Sequence, residues 1–138
     1  MGNGGLIQIL VTALPVLSVG AAVWRGGEQR RAGVAVGLAW VASWLVTPLH
    51  LPGPSFWLFS IDAMLALWLT LMTRPTGAPW QIFTAASAVL LVINHIAFAT
   101  IFALRDWAFF SISWVWSLLV LAGLLWGALS PRRERPGV

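Results

Sequence analysis

The chain alternates between long apolar blocks and short polar breaks. Five blocks approach or exceed the roughly 20 apolar residues that a helix needs to cross a bilayer. They cover residues 6–24, 32–49, 56–72, 80–104 and 107–129. The breaks have physical causes. "RGGEQRR" carries Arg25, Glu28, Arg30 and Arg31 around two glycines. "HLPGPS" and "TRPTGAP" each hold two prolines, which lack a backbone donor and disfavour helix at the residue before them. "RD", at Arg105 and Asp106, is the shortest break, and without it the fourth and fifth blocks would form one run too long for a bilayer. The pattern predicts an all-α polytopic bundle of five transmembrane helices, one integral membrane domain over 1–138 with a basic tail at 130–138.

Composition sharpens this expectation. Only 9% of the 138 residues are charged and the mean hydropathy is +0.87, against about 25% charged residues in an ordinary soluble domain. So few charges cannot cover a water-facing surface, so the expected solvent is lipid. Ten tryptophans agree, and Trp24, Trp57, Trp80, Trp107 and Trp126 fall at or near predicted helix ends, as an interfacial aromatic belt would place them. There is no cysteine, hence no disulfide framework and no thiolate chemistry. All eight basic residues are arginine, a usage that coding bias explains as well as function does. The pI near 11.8 suggests nucleic acid only superficially, because the arginines lie at block ends.

Their distribution predicts orientation. With five spans, Arg25, Arg30, Arg31, Arg74, Arg132, Arg133 and Arg135 share the side of the C-terminus, and only Arg105 lies opposite. The positive-inside rule then places the C-terminus in the cytoplasm and the N-terminus outside, in a bacterial inner membrane. The first block has small residues in "SVGAA", as a signal peptide carries, but its charges follow the apolar run, so it is read as a retained helix. Pro15 is expected to kink it.

Within the blocks, "FSIDAMLALWL" keeps one carboxylate, Asp62, among apolar residues. A carboxylate at the centre of a membrane helix costs roughly 2.5–3.5 kcal/mol and calls for a partner. At 1.5 Å per residue Asp62 lies about 9 Å below the outer edge. On the next, antiparallel helix, Asn94 and His95 lie about 15 and 13 Å below the same edge. The expected partner is therefore His95 or Asn94, with Arg105 as a competitor. Ser55, Asp62, Ala66, Thr70 and Thr73 recur at helical spacing as a small and polar stripe, with Phe56, Leu67 and Leu71 directed away. His50 is expected at a helix end and not level with His95, which argues against a shared haem. Gly33 with Gly37, and Gly123 with Gly127, form two GxxxG ridges for close helix approach, within the chain or between copies. Ser113 and Ser117 share a face of the fifth helix, and Trp40 and Trp44 lie one turn apart.

The run from "IDAMLALWL" through "TRPTGAPWQ" to "INHIAF" resembles small multi-pass membrane proteins of bacterial and prophage genomes, a group without an assigned activity. That resemblance implies a membrane location and raises a holin-type permeabiliser as one reading, although holins have fewer spans. No nucleophile–base pair, metal-ligand cluster or phosphate loop is evident, so no enzyme, metal or cofactor is expected. Three functional expectations follow. The first is a non-enzymatic membrane component acting by assembly, as a homo-oligomer or within a larger complex. The second is a holin-like permeabiliser. The third is a small proton-coupled or solute transporter using Asp62 and His95. Lipid is a partner in each, and nucleic acid in none.

Overall fold

The computed structural model of the chain describes residues 3–46, 56–73, 77–100 and 106–131. Among these there are five α-helices and no strand: α1 (Asn3–Arg25), α2 (Gly27–Val46), α3 (Phe56–Met72), α4 (Pro79–Thr100) and α5 (Asp106–Leu129). Two stretches are long and apolar enough to cross a membrane, Pro79–Thr100 and Ala108–Leu129, each with a mean hydropathy of 2.0. The α3 helix is apolar but has 17 residues.

Helix α2 begins at Gly27, five residues before the predicted start at Ala32. The charged segment between α1 and α2 is mostly the first turns of a helix, and the chain reverses at the two glycines alone. Gly26 and Gly27 have φ of 80° and 60°, a left-handed conformation that costs other L-residues about 1–2 kcal/mol each. Glu28 then sits in the first turn of α2, where a negative charge opposes the helix dipole. Helix α1 continues through the buried Pro15. At α4, Pro79 takes the first helical position, where its missing N–H is no loss, and Gln81 Oε1 accepts from the Ala78 amide at 3.0 Å, half of a capping box.

The helices close into a ring. Each packs on its neighbours in sequence, and α5 returns to pack on α1. Consecutive helices are antiparallel, so one end of the bundle gathers the C-termini of α1, α3 and α5 with the N-termini of α2 and α4. This end is tightly tied. Arg25 donates to the Ser130 carbonyl and Gln29 to the Gly127 carbonyl, satisfying two of the orphan acceptors that every helix C-terminus exposes. Gln81 Nε2 donates to Glu28 Oε2 at 2.6 Å, joining the starts of α2 and α4.

Just inside this end the backbones approach closely. Gly33 and Gly37 of α2 meet Ala22 and Val19 of α1, and Gly123 and Gly127 of α5 meet Thr84 and Trp80 of α4. Both GxxxG ridges therefore face helices of the same chain. The core runs from here through Ala22, Val36, Leu69, Ala88, Leu121 and Leu124. Trp80 departs from the aromatic-belt expectation. It is buried against Gly127, whereas Trp24, Trp57 and Trp126 are exposed. An indole fills the space that a glycine on the facing helix leaves, and that packing outweighs the interfacial preference. Trp107 lies outside the residues whose side chains are described.

The polar stripe predicted on α3 is also corrected. The buried face of α3 is Leu65, Ala66 and Leu69. Thr70 is exposed and its hydroxyl donates to the Ala66 carbonyl, while the Thr73 hydroxyl donates to Leu69. A threonine that bonds its own preceding turn needs no partner helix, so the stripe reduces to Asp62 and Ala66. Ser55 lies outside the described residues, as do His50, Arg74, Arg105, Arg132, Arg133 and Arg135. Arg30 and Arg31 are exposed.

Candidate functional site

Away from the tied end, the bundle holds its ionisable pair. Asp62 is in the second turn of α3 and His95 lies near the end of α4, so antiparallel packing brings them level. His95 Nε2 and Asp62 Oδ2 are 2.8 Å apart. An ionised carboxylate only accepts, so in that state Nε2 carries the hydrogen and donates it. The ring is held on two sides. Phe59 and Phe109 meet it edge-on, with centroids 6.0 and 5.0 Å away and interplanar angles of 71° in both cases. The His95 side chain is 7% exposed and that of Asp62 is 17% exposed. His95 is thus fixed in orientation, and Asp62 retains open space on one side.

Asn94 does not join this pair. A one-residue step turns a helix by about 100°, so Asn94 points to α5 when His95 points to α3. Its amide donates to Ser113 Oγ at 2.9 Å and to the Phe109 carbonyl at 3.4 Å. Two polar ties therefore lie side by side, one joining α3 to α4 and one joining α4 to α5. No group of three or more His, Asp or Glu side chains comes together among the described residues.

The open side of Asp62 is a cavity of about 490 Å³ between α2, α3, α4 and α5, which opens outward past the exposed Trp44, Phe110 and Trp114. Buried Val36, Leu65, Leu91 and Val120 line it on the side of the tied end. From Val36 to Trp44 along α2 the lining extends about 12 Å at the helical rise. Asp62, His95, Ser43, Ser113 and Ser117 are its polar side chains, and Trp40, Trp44, Trp114, Phe109 and Phe110 its aromatic ones. No arginine lines it among the described residues. The space lies where α2 and α5 touch only lightly across the ring, whereas the glycine ridges draw α2 onto α1 and α5 onto α4.

Sequence reasoning did not find the cavity, nor the Phe59 and Phe109 edges on His95. The Ser113–Ser117 face was visible in the sequence, but its partner Asn94 was not assigned to it. Pro79 and Gln81 carried a readable helix-start signal, but nothing in it pointed to the tie from Gln81 to Glu28. Comparison with protein-family models, curated proteins and solved structures finds no match.

Proposed function

We propose that this chain is a five-span membrane protein that holds a small solute in the cavity beside Asp62 and moves it with proton coupling through the Asp62–His95 pair. The observation that carries the reading is that this pair lines a 490 Å³ cavity instead of being sealed between two packed helices. An acid serving only as polar glue has no use for adjoining space, whereas intramembrane ionisable groups on solute or proton paths face such cavities. The volume falls within the roughly 300–1,000 Å³ of small-molecule sites.

The outward faces support a lipid surround. Val16 and Leu17 on α1, Leu38 and Leu45 on α2, Met64 and Leu71 on α3 are each at least 66% exposed. Water would not tolerate such a surface around the whole bundle. An assembly role has less support, because both small-residue ridges are filled by helices of the same chain. No feature of the described residues favours a permeabiliser.

Two measurements test the reading. Reporter fusions after Gly26, Gly53, Gly77, Arg105 and Pro136 should alternate in location, with the first, third and fifth cytoplasmic. A cytoplasmic signal at both Gly77 and Arg105 would remove the five-span topology. In proteoliposomes loaded with a pH indicator, the protein should carry a proton flux that Asp62→Asn abolishes while the variant still inserts and elutes as the parent does. Equal fluxes from the two proteins would remove Asp62 from the path.

A further inference from the structure

We propose that the cavity beside Asp62 binds a lipophilic organic monocation, a quaternary phosphonium or ammonium with aromatic or alkyl groups, in exchange for one proton. The inference rests on the solute-cavity reading above and names the class of solute.

The lining selects against the alternatives. An anion would face the Asp62 carboxylate with no arginine among the described lining residues to receive it. A sugar or other polyol needs many hydrogen-bonding partners. Here the lining is mainly apolar and aromatic, His95 is already bonded to Asp62 and Ser113 already accepts from Asn94, which leaves few groups for several hydroxyls. A neutral hydrocarbon gains nothing from the carboxylate, because it matches no charge on the pair and displaces no proton from it. A bulky cation meets none of these objections. Its apolar groups fit the lining of Val36, Leu65 and Leu91, and its charge suits both the carboxylate and the indole faces. Trp40, Trp44 and Trp114 supply three such rings around one cavity.

Charge balance supplies the coupling. With Asp62 ionised and His95 neutral, the pair has a charge of −1. One added proton brings it to zero. One bound monocation also brings the cavity to zero. Proton and cation therefore compete for one negative charge, and the site does not need both at once. As the cation enters, therefore, the proton leaves the pair for the aqueous phase, and no covalent bond is made or broken. Among the described residues, the side chains facing this cavity from α2, α3, α4 and α5 include no other titratable or charged group, so the count of one proton belongs to this pair.

The test uses the full chain in detergent micelles with three probes of related shape. These are tetraphenylphosphonium, tetraphenylborate, and the neutral triphenylphosphine oxide. Binding is followed by calorimetry, and proton release by a pH indicator in weakly buffered solution. Tetraphenylphosphonium should bind saturably and release about one proton per cation. While the pair is proton-loaded, its affinity should rise by about tenfold per pH unit, as competition with a single proton requires. Trp114→Leu should weaken it by about two- to fivefold, the usual worth of a cation–π contact at an exposed ring. Asp62→Asn should abolish proton release and most of the affinity.

The wild-type comparison decides the matter even if a variant misfolds. Borate or phosphine oxide binding as tightly as the cation would overturn the choice of a cation and leave the cavity reading intact. Cation binding without proton release would overturn the exchange. Saturable binding of none of the three probes would overturn both this inference and the solute reading beneath it.

Discussion

Gly127→Leu is expected to lower the stability of the protein sharply, while Gly20→Ala leaves it unchanged or raises it. The contrast isolates close helix approach from helix propensity. A Cβ on Gly127 would lie 2.6 Å from Cδ2 and 2.9 Å from Cε3 of Trp80. Real side chains essentially never reach such distances, and the ring is buried, so it has nowhere to swing. Gly123 one turn earlier is as tight, since its Cβ would collide with the Thr84 hydroxyl, which is itself donating to the Trp80 carbonyl at 2.6 Å. Accommodating leucine at either position therefore means moving α5 away from α4. Overpacking of a filled interior costs about 1–3 kcal/mol and occasionally more. Replacing a helical glycine returns only about 1 kcal/mol of propensity, so the clash wins. At Gly20 nothing lies within 4 Å of the added methyl. There only the gain of about 0.4–1 kcal/mol from a stiffer unfolded chain remains. Thermal unfolding in detergent measures both. Equal stabilities for Gly127→Leu and Gly20→Ala would mean that α4 and α5 do not pack through this ridge.

Much of the fold was readable because its causes are local. Helix α3 starts and stops at 56 and 72 as the hydropathy pattern predicts, since proline-rich breaks stand on either side. The start of α2 was misplaced because hydropathy scores polarity, and Glu28, Gln29, Arg30 and Arg31 are polar yet helical. Glu28 and Gln29 are held by hydrogen bonds to α4 and α5, and the helix starts at one glycine turn, none of which a window of apolar residues can register. Helical rise brought Asp62 and His95 to within about 4 Å of one level but did not choose between His95 and Asn94. The direction of Asn94 required the phase of α4 about its own axis, which one sequence leaves open. The cavity was out of reach for a further reason. Its walls come from four helices, and its volume depends on where Trp40 and Trp114 rest across a gap that no two sequence neighbours share.

That phase argument leads to the second large effect, at Asp62 itself. Asp62→Asn should stay folded, because an amide oxygen still accepts from His95 Nε2. Asp62→Leu should cost about 1–3 kcal/mol, because it strands a His95 ring that is 92% or more buried and clamped between two phenylalanines. Part of that cost is not a property of the bond, since leucine also changes the shape of the cavity wall. A double-mutant cycle removes the common part. Asp62→Leu combined with His95→Leu should show a coupling of about 0.6 kcal/mol, and up to about 1.7, the range found for interhelical hydrogen bonds in membranes. Asp62→Leu combined with Asn94→Leu should be additive to within about 0.3–0.5 kcal/mol, although Asn94 is the chain neighbour of His95. The complementary cycle of Asn94→Leu with Ser113→Ala should be coupled, because that pair is bonded at 2.9 Å across α4 and α5. Coupling of Asp62 to Asn94 in place of His95 would turn α4 by about one residue about its axis. It would then point His95 away from α3, and the cavity would lose the partner on which the proton count depends.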